Sequence, residues 1–306
     1  MKNIILFLLA IGLSLNLSAQ NSIDILTIVG QYGFPQSYET QYTKEATEIS
    51  YNLGLTIPVK FSESSILFNN LNYYYFNVNN DITMDDSIVN PIELYGFILR
   101  TGLVQKFSDN RAVLLFFLPR YMSDFNETNE NRFQMGGMAM YEKRYSDNLM
   151  MRFGAMFNNE FFGPYLVPLI HVDWQLSLKW SIVGMLPVYL KVNYRINERL
   201  IVGFSHFGLT TSYRLGKEGY SGDYLTRQSI DLSFYGRYNI VGNFHIEGKI
   251  GLATGRDYAQ YKTDQKVDFS LPLVNIGDNR VQKNHSFNDG AFVNLRLIYS
   301  IPLDEE

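Results

Sequence analysis

Apolar residues alternate with small or polar residues over long stretches of this chain. From Ile49 to Phe61 every odd position is apolar and every even position is small or polar, a run of thirteen residues. A period of two is that of a β-strand with one apolar face, and this run exceeds the usual strand length of soluble domains. The same period returns at 95–107, 113–121, 149–157, 188–194, 230–238, 244–252 and 293–299. Helical spacing never holds for more than about a turn, so the sequence predicts an all-β fold.

Short turns and long polar segments separate the predicted strands in a regular order. Most of the short turns contain Ser, Asp, Asn or Gly, which favour tight hairpins. The six short turns lie at 62–64, 108–110, 146–148, 178–179, 197–198 and 242–243, and longer polar segments lie at about 35–46, 79–91, 124–131, 163–168, 216–228 and 257–288. Short turns on one rim and long loops on the other are typical of outer-membrane β-barrels.

The number of strands follows from the number of short turns. Six short turns join twelve strands, and Ile23–Phe34 and Ala291–Ile301 each add one. This count predicts an antiparallel transmembrane β-barrel of fourteen strands, because single-chain bacterial barrels have an even number. It requires two strands that meet near Leu186-Pro187. If 180–195 is a single strand instead, the barrel has twelve.

The first nineteen residues have the layout of a secretory signal peptide. Lys2 is basic, an apolar run extends from Ile4 to Leu15, and Ser18-Ala19 precedes the expected cleavage point. The sequence therefore predicts a signal peptide at 1–19 and one outer-membrane β-barrel domain at 20–306.

Beyond the signal peptide no segment can span a bilayer as a helix. The longest purely apolar stretch is Ala112–Leu118, which is far shorter than the roughly 20 residues that a spanning helix needs. A secreted β-sandwich remains as an alternative, but aromatic residues gather near the predicted strand ends, at 73–76, 116–117, 121, 161–162, 174 and 180. Aromatic girdles of this kind favour a barrel in the outer membrane of a Gram-negative cell, with membrane lipid as its partner.

Two segments carry a resemblance to a known family. Ala112–Asp124, which reads AVLLFFLPRYMSD, resembles the central strand of an uncharacterised Bacteroidota outer-membrane β-barrel family, a domain-of-unknown-function family. Trp180–Pro187, which reads WSIVGMLP, is similar to a later strand of that family that also ends in proline. The resemblance implies a fold and a location, and it implies no activity and no catalytic residue.

The sequence offers little that points to catalysis. The chain has no cysteine, which excludes disulfides and thiolate metal sites, and its net charge of −4 gives no argument for nucleic-acid binding. Ser205 and His206 are neighbours on one predicted strand and point to opposite faces. His171 shares a face with Asp173, and His245 shares one with Glu247, so carboxylate–histidine pairs are open alternatives. We predict no catalytic residue, no cofactor and no metal site.

The polar face of the predicted strands is strongly basic. Eight basic and three acidic side chains lie there, and with two histidines they form the predicted lumen set: Arg100, Arg120, Arg152, His171, Asp173, Lys191, Arg195, Asp231, Arg237, His245, Glu247, Lys249 and Arg296. Charges are expected on the lumen side because lipid-facing Arg or Lys at mid-bilayer costs about 2–4 kcal/mol. A basic constriction favours anions, unless these residues merely pair with carboxylates and leave no net field.

These observations predict a porin-like channel or passive transporter for small solutes, with a preference for anions. The alternatives are a barrel enzyme that acts on lipid or lipopolysaccharide and a barrel with a structural or surface-interaction role.

Overall fold

A computed structural model describes residues 22–39, 45–80, 85–127 and 129–302. The predicted signal peptide and its cleavage point lie outside these residues. The described chain consists of strands and connecting turns: β1 (Ser22–Gln36), β2 (Ala46–Ser62), β3 (Ser65–Asn79), β4 (Ile92–Ser108), β5 (Arg111–Phe117), β6 (Arg120–Ser123), β7 (Phe133–Gln134), β8 (Gly136–Ser146), β9 (Leu149–Glu160), β10 (Gly163–Gln175), β11 (Trp180–Leu186), β12 (Tyr189–Arg195), β13 (Leu200–Arg214), β14 (Tyr224–Val241), β15 (Phe244–Tyr261), β16 (Phe269–Leu271), β17 (Val274–Ile276) and β18 (Gly290–Pro302). Within these ranges no helix has the length and apolar character needed to cross a membrane.

The strands close into an antiparallel barrel of fourteen strands. β5 and β6 form one barrel strand interrupted at Leu118-Pro119, β7 and β8 form the next, and β16 and β17 form a hairpin within a loop. β1 pairs with β2 on one side and with β18 on the other, so the first and last strands complete the circle. The predicted all-β fold and the count of fourteen are confirmed. β11 and β12 meet at Pro187-Val188, so the alternative of twelve strands is wrong.

The two rims of the barrel differ in the way that the turn pattern predicts. One rim, here called the short-turn rim, carries the six tight connections at 63–64, 109–110, 147–148, 176–179, 196–199 and 242–243. The opposite rim, here called the long-loop rim, carries the loops 37–45, 80–91, 124–132, 215–223 and 262–289 and the tight turns 161–162 and 187–188.

One predicted loop is wrong, because 163–168 belongs to β10. Gly163, Pro164 and Pro168 resemble a turn signal in the sequence, but the prolines lie on an edge of this strand. β10 pairs with β11 only from Ile170 onward, and a two-residue turn makes Glu160 and Gly163 a hydrogen-bonded pair with β9. The backbone N–H groups of even-numbered residues therefore point towards the side that β11 does not reach, where β16 pairs only at Tyr165 and proline leaves no unpaired amide.

Large apolar side chains cover the outer surface between the rims. Leu53, Leu115, Phe234, Ile250 and Leu295 are all exposed there. Two aromatic bands flank this apolar belt: Phe61, Phe107, Tyr145, Trp180 and Phe244 lie near the short-turn rim, and Tyr75, Tyr95, Tyr121, Phe125 and Phe133 lie near the long-loop rim.

Phe161 and Phe162 do not join an aromatic band, contrary to the expectation for strand-end aromatics. They lie in the tight turn between β9 and β10, and both are buried. The backbone N–H of Phe161 donates to the Ser212 hydroxyl at 2.8 Å, which draws the turn against β13. These rings therefore fill the molecule instead of facing outward.

The main core lies inside the barrel, at the long-loop rim. Buried side chains from the loops, including Tyr38, Val89, Leu215, Tyr220 and Phe287, pack with inward-facing strand residues such as Met122, Tyr213 and Tyr258. We call this unit the loop cap; it comprises the described residues of the five long loops and the core residues beneath them. The lumen is consequently filled at one end.

Candidate functional site

The lumen contains a cavity of about 840 Å³. Its lining begins near the short-turn rim, with Gln175, Glu198 and Asn239, and reaches Arg227 and Phe292 below the loop cap. The candidate site is therefore an internal chamber in the short-turn half of the barrel.

Polar side chains hold the loop cap together. The side chain of Gln260 accepts a hydrogen bond from the Val89 amide at 2.8 Å and donates to the Ser87 carbonyl at 2.9 Å and to Asp223 at 2.8 Å. Lys283 pairs with the same Asp223 oxygen at 2.7 Å. Three long loops are thereby tied to the end of β15.

A further ion pair lies within the last loop, outside the strands. Arg280 donates two hydrogen bonds of 2.8 Å to Asp278, and these bonds lower the pKa of the Asp278 carboxyl. Arg280 also lies over the ring of Tyr261, 4.4 Å from its centroid. The loop therefore stays docked on the end of the barrel.

Beneath the cap, a buried carboxylate organises the first charge cluster. The Glu48 cluster consists of Glu48, Arg227, Asp231, Arg256 and Tyr258. Tyr258 donates to Glu48 at 2.6 Å, and the two arginines lie 3.5 Å (Arg256) and 3.7 Å (Arg227) from its oxygens. Arg256 is also 3.7 Å from Asp231. Two cations and two carboxylates leave this cluster without net charge.

The surroundings of Arg256 show how tightly this cluster is enclosed. The side chain is 0% exposed, and none of its three guanidinium nitrogens makes a hydrogen bond within the described chain. A Cβ added to Gly33 would lie 2.6 Å from the Arg256 Nη1 atom. Glycine at position 33 is therefore what makes room for the guanidinium.

A second buried carboxylate lies lower in the lumen, beside the cavity. The Glu247 cluster consists of Glu247, Lys191, Lys249 and Arg296. Lys191 lies 2.7 Å, Arg296 2.8 Å and Lys249 3.6 Å from the Glu247 oxygens. Glu247 is 0% exposed, whereas its three cations are 14–21% exposed and line the cavity. Three cations around one carboxylate leave two positive charges in excess.

Other ion pairs neutralise part of the remaining lumen charge. Arg152 pairs with Glu142 at 2.6 Å, and Arg237 pairs with Asp24 at 3.0 Å. In contrast, four cavity-lining cations have no ion pair with any carboxylate of the described residues: Arg100, Lys106, Arg195 and Arg199.

The structure brings together most of the lumen set named from the sequence. Eleven of the thirteen residues line the cavity. Glu247 lies behind Lys191, and Arg120 is buried in an ion pair of 2.7 Å with Glu160. The complete lining has ten basic residues (Arg100, Lys106, Arg152, Lys191, Arg195, Arg199, Arg227, Arg237, Lys249 and Arg296) and five acidic ones (Asp24, Glu142, Asp173, Glu198 and Asp231). Addition of the buried Glu48 and Glu247 still leaves an excess of three positive charges.

The two carboxylate–histidine pairs left open by the sequence do not form. His171 and Asp173 both line the cavity, but no hydrogen bond joins them in the described chain. His245 lies 3.5 Å from the Asn239 amide, while Glu247 is turned towards Lys191. Neither arrangement supplies a hydrogen-bonded base.

Several charged residues of the lumen escaped the sequence analysis. Arg227 lies four residues before Asp231 on β14 and points inward as Asp231 does, but the sequence analysis expected this segment to be a loop. Glu48 lies one position before the alternating run that starts at Ile49. Arg256 follows Gly255, whose positive φ of 55° accompanies a register shift between β14 and β15. Before this bulge the odd-numbered residues of β15 point inward, and after it the even-numbered residues do. Strict alternation therefore does not predict that Arg256 faces the lumen.

The chain belongs to a family described as a domain of unknown function (DUF6268), which it matches over residues 15–300. No curated protein matches the chain. Similar solved structures include an outer membrane channel from Pseudomonas putida F1, at 10% identity and a TM-score of 0.45 with 92% of this chain and 96% of that chain covered. The toluene transporter TodX from P. putida is 10% identical, with a TM-score of 0.37 and 90% and 89% of the chains covered. Outer membrane phospholipase A from Escherichia coli is 8% identical, with a TM-score of 0.38 and 95% and 98% covered.

Proposed function

We propose that this protein is an outer-membrane channel or passive transporter for small solutes, with a preference for anions. The proposal includes export through the predicted signal peptide and an origin in a Gram-negative bacterium of the Bacteroidota. The observation that carries it is a lumen cavity with ten basic and five acidic residues in its lining.

The outer surface supports a membrane location. An apolar belt between two aromatic bands matches the lipid-facing surface of outer-membrane barrels. In water the same belt would be a large exposed apolar patch, which soluble monomers rarely carry. Closure of the barrel also pairs the strands around its circumference, and above β11 the edge of β10 pairs with β16 at Tyr165.

The charge balance of the cavity supports the preference for anions. Coulomb attraction acts over longer distances inside a low-dielectric wall than in open water. Ion pairs remove part of the field, but the unpaired cations and the Glu247 cluster leave a positive excess. The loop cap closes the far end in this structure, so transport requires movement of the cap.

No catalytic step belongs to the proposal. A hydrolase needs a nucleophile held by a base within hydrogen-bond reach. The cavity histidines 171, 206 and 245 have no such hydroxyl partner among the described residues, and His206 bonds instead to the Pro187 carbonyl. A purely structural or surface-interaction barrel has no need of a charged chamber of this size.

Reconstitution into planar bilayers tests the proposal. In a KCl gradient we expect openings with an anion-selective reversal potential. Replacement of Arg100, Lys106 and Arg195 together by Gln should move the reversal potential towards zero or towards cations. A matched control is Arg152→Gln with Glu142→Gln, which removes an ion pair without changing the net charge and should leave selectivity unchanged. Cation selectivity of the unaltered protein would contradict the proposal.

A further inference from the structure

The Glu247 cluster has the features of a binding site for a negatively charged group. Both Glu247 oxygens are already engaged, Oε2 by Lys191 and Oε1 by Arg296. The cations turn towards the cavity while the carboxylate does not, and within the described chain no second carboxylate pairs with them. Because a positive excess of two faces the cavity inside the barrel, an anion that enters it meets convergent ammonium and guanidinium donors.

Neutral side chains contact the two lysines of the cluster. Ser205 shares a hydrogen bond of 2.7 Å with Ser233, and Lys249 lies 3.4 Å from the Ser205 hydroxyl. Lys191 lies over the Tyr235 ring, 4.6 Å from its centroid. These contacts hold the ammonium groups in place without adding negative charge.

The facing wall of the cavity is apolar between two cations of β4, Arg100 and Lys106, and Arg100 lies 5.9 Å from the centroid of the Phe68 ring. The inward side chains of β3, β4, β5 and β8 include Phe68, Val104, Leu114, Phe116, Met138 and Met140, all of which line the cavity. They are neighbours across the sheet: Val104 pairs with Leu114, Leu114 with Met140 and Phe116 with Met138. We call these six residues the apolar wall. Such a surface is unexpected in a lumen built only for hydrated ions, where the interior is polar.

The apolar wall and the Glu247 cluster lie opposite each other and at a similar depth. In the circle of fourteen strands, β3 to β8 lie about halfway round from β12, β15 and β18. Lys191 lies four residues before the end of β12 at Arg195, and Val104 lies four residues before the end of β4 at Ser108. Both strands end at the short-turn rim. The two surfaces therefore face each other across the cavity.

We infer that the cavity binds organic anions with an apolar body, the anionic group against Lys191, Lys249 and Arg296 and the body against the apolar wall. This inference rests on the proposed function and narrows its solute class. Hydrated inorganic anions use only the charged half of such a site. An amphipathic carboxylate uses both halves, and burial of a phenyl ring adds about tenfold in affinity or more.

Titration calorimetry on the full protein in lipid nanodiscs tests the inference with three probes. Benzoate carries both a carboxylate and an apolar body, acetate carries the carboxylate alone, and benzyl alcohol carries the ring without the charge. Empty nanodiscs correct for partition into lipid. We expect benzoate to bind at least about tenfold more tightly than either of the other probes.

Two sets of variants connect this preference to the residues named. Lys191→Met with Lys249→Met leaves Glu247 paired with Arg296 and removes the excess charge, so benzoate affinity should fall by about tenfold or more. Lys179→Gln removes an exposed cation of the short-turn rim that lies outside the cavity lining, and it should change benzoate affinity by less than about twofold. Phe116→Gln should weaken benzoate but not acetate, whereas Phe116→Leu should preserve both. Heat-modifiable migration on gels confirms that each variant is folded.

The outcomes separate the two proposals. Equal binding of benzoate and acetate, with both lost in the double lysine variant, overturns the inference and leaves anion preference intact. If the double variant leaves benzoate binding unchanged, the assigned head-group site is wrong. If no probe binds and the reconstituted protein is not anion selective, the proposed function fails as well.

Discussion

The lumen contains two clusters built on the same plan, a buried carboxylate surrounded by cations. Around Glu48 the two arginines are balanced by Asp231, and the cluster lies beneath the loop cap with Arg256 fully enclosed. Around Glu247 three cations share one carboxylate and reach the cavity. The Glu48 cluster is more deeply buried and has no net charge, whereas the cations of the Glu247 cluster reach the cavity and leave an excess of two positive charges. The first arrangement is suited to fixing the closed end of the barrel, and the second is suited to meeting a solute.

Substitution of Glu48 by Gln is expected to have the largest effect. The change leaves the fully enclosed Arg256 and the largely buried Arg227 without their shared carboxylate, and loss of one partner from a buried pair costs about 3–5 kcal/mol. Urea unfolding of the detergent-solubilised barrel should show this loss. Glu198→Gln removes an exposed rim carboxylate and serves as the control. Equal stability of the two variants would contradict a structural role for the Glu48 cluster.

Substitution of Gly33 by Ala tests the same cluster without a change of charge. The new Cβ would meet Arg256 Nη1 at 2.6 Å and the Glu48 Cβ at 3.2 Å, and overpacking of this kind costs about 2 kcal/mol. Gly236 is a matched control in β14, because nothing lies within 4 Å of the position its Cβ would take. Gly236→Ala should therefore leave the unfolding midpoint close to that of the unaltered protein. If Gly33→Ala is equally silent, the tight enclosure of Arg256 is wrong.

Replacement of Gln260 by Ala tests the loop cap above the Glu48 cluster. It removes three hydrogen bonds and leaves the Val89 amide unpaired, at a cost of about 1–2 kcal/mol. Because the lost bonds tie loops to β15, the main expected change is more frequent channel opening in planar bilayers. Gln228→Ala, at an exposed position on β14, is the control. Unchanged open probability in the Gln260 variant would show that the cap does not gate the lumen.

The barrel itself could be predicted from the sequence because strand alternation and turn chemistry are local. The sequence located the hairpin at Leu186-Pro187, and the structure has a turn at Pro187-Val188. It misassigned 163–168 because prolines at a strand edge have the same signature as prolines in a loop. The inward phase of the polar residues also follows from alternation until a bulge at Gly255 interrupts it.

The loop cap could not be predicted in this way. Val89 and Gln260 are 171 positions apart in the chain, and no periodic pattern connects them. The pairing of lumen charges could not be predicted for the same reason. Lys191 and Glu247 are 56 positions apart, so the sequence can place each on an inward face but cannot say that one neutralises the other.

A smaller effect on stability is expected from Glu247→Gln, the counterpart of the Glu48 substitution. The cations of the Glu247 cluster are 14–21% exposed and border the cavity, whereas Arg256 in the Glu48 cluster is 0% exposed, so loss of the Glu247 carboxylate should cost less than loss of Glu48. The same change raises the positive excess of the cluster from two to three. We therefore expect anion selectivity and benzoate affinity to increase, while the corresponding substitution at Glu48 lowers stability and leaves benzoate affinity per folded molecule unchanged. Reversal potentials and calorimetric titrations of both variants measure this difference. If Glu247→Gln is as destabilising as Glu48→Gln, or if it weakens anion binding, the two clusters share a structural role and the distinction drawn between them is wrong.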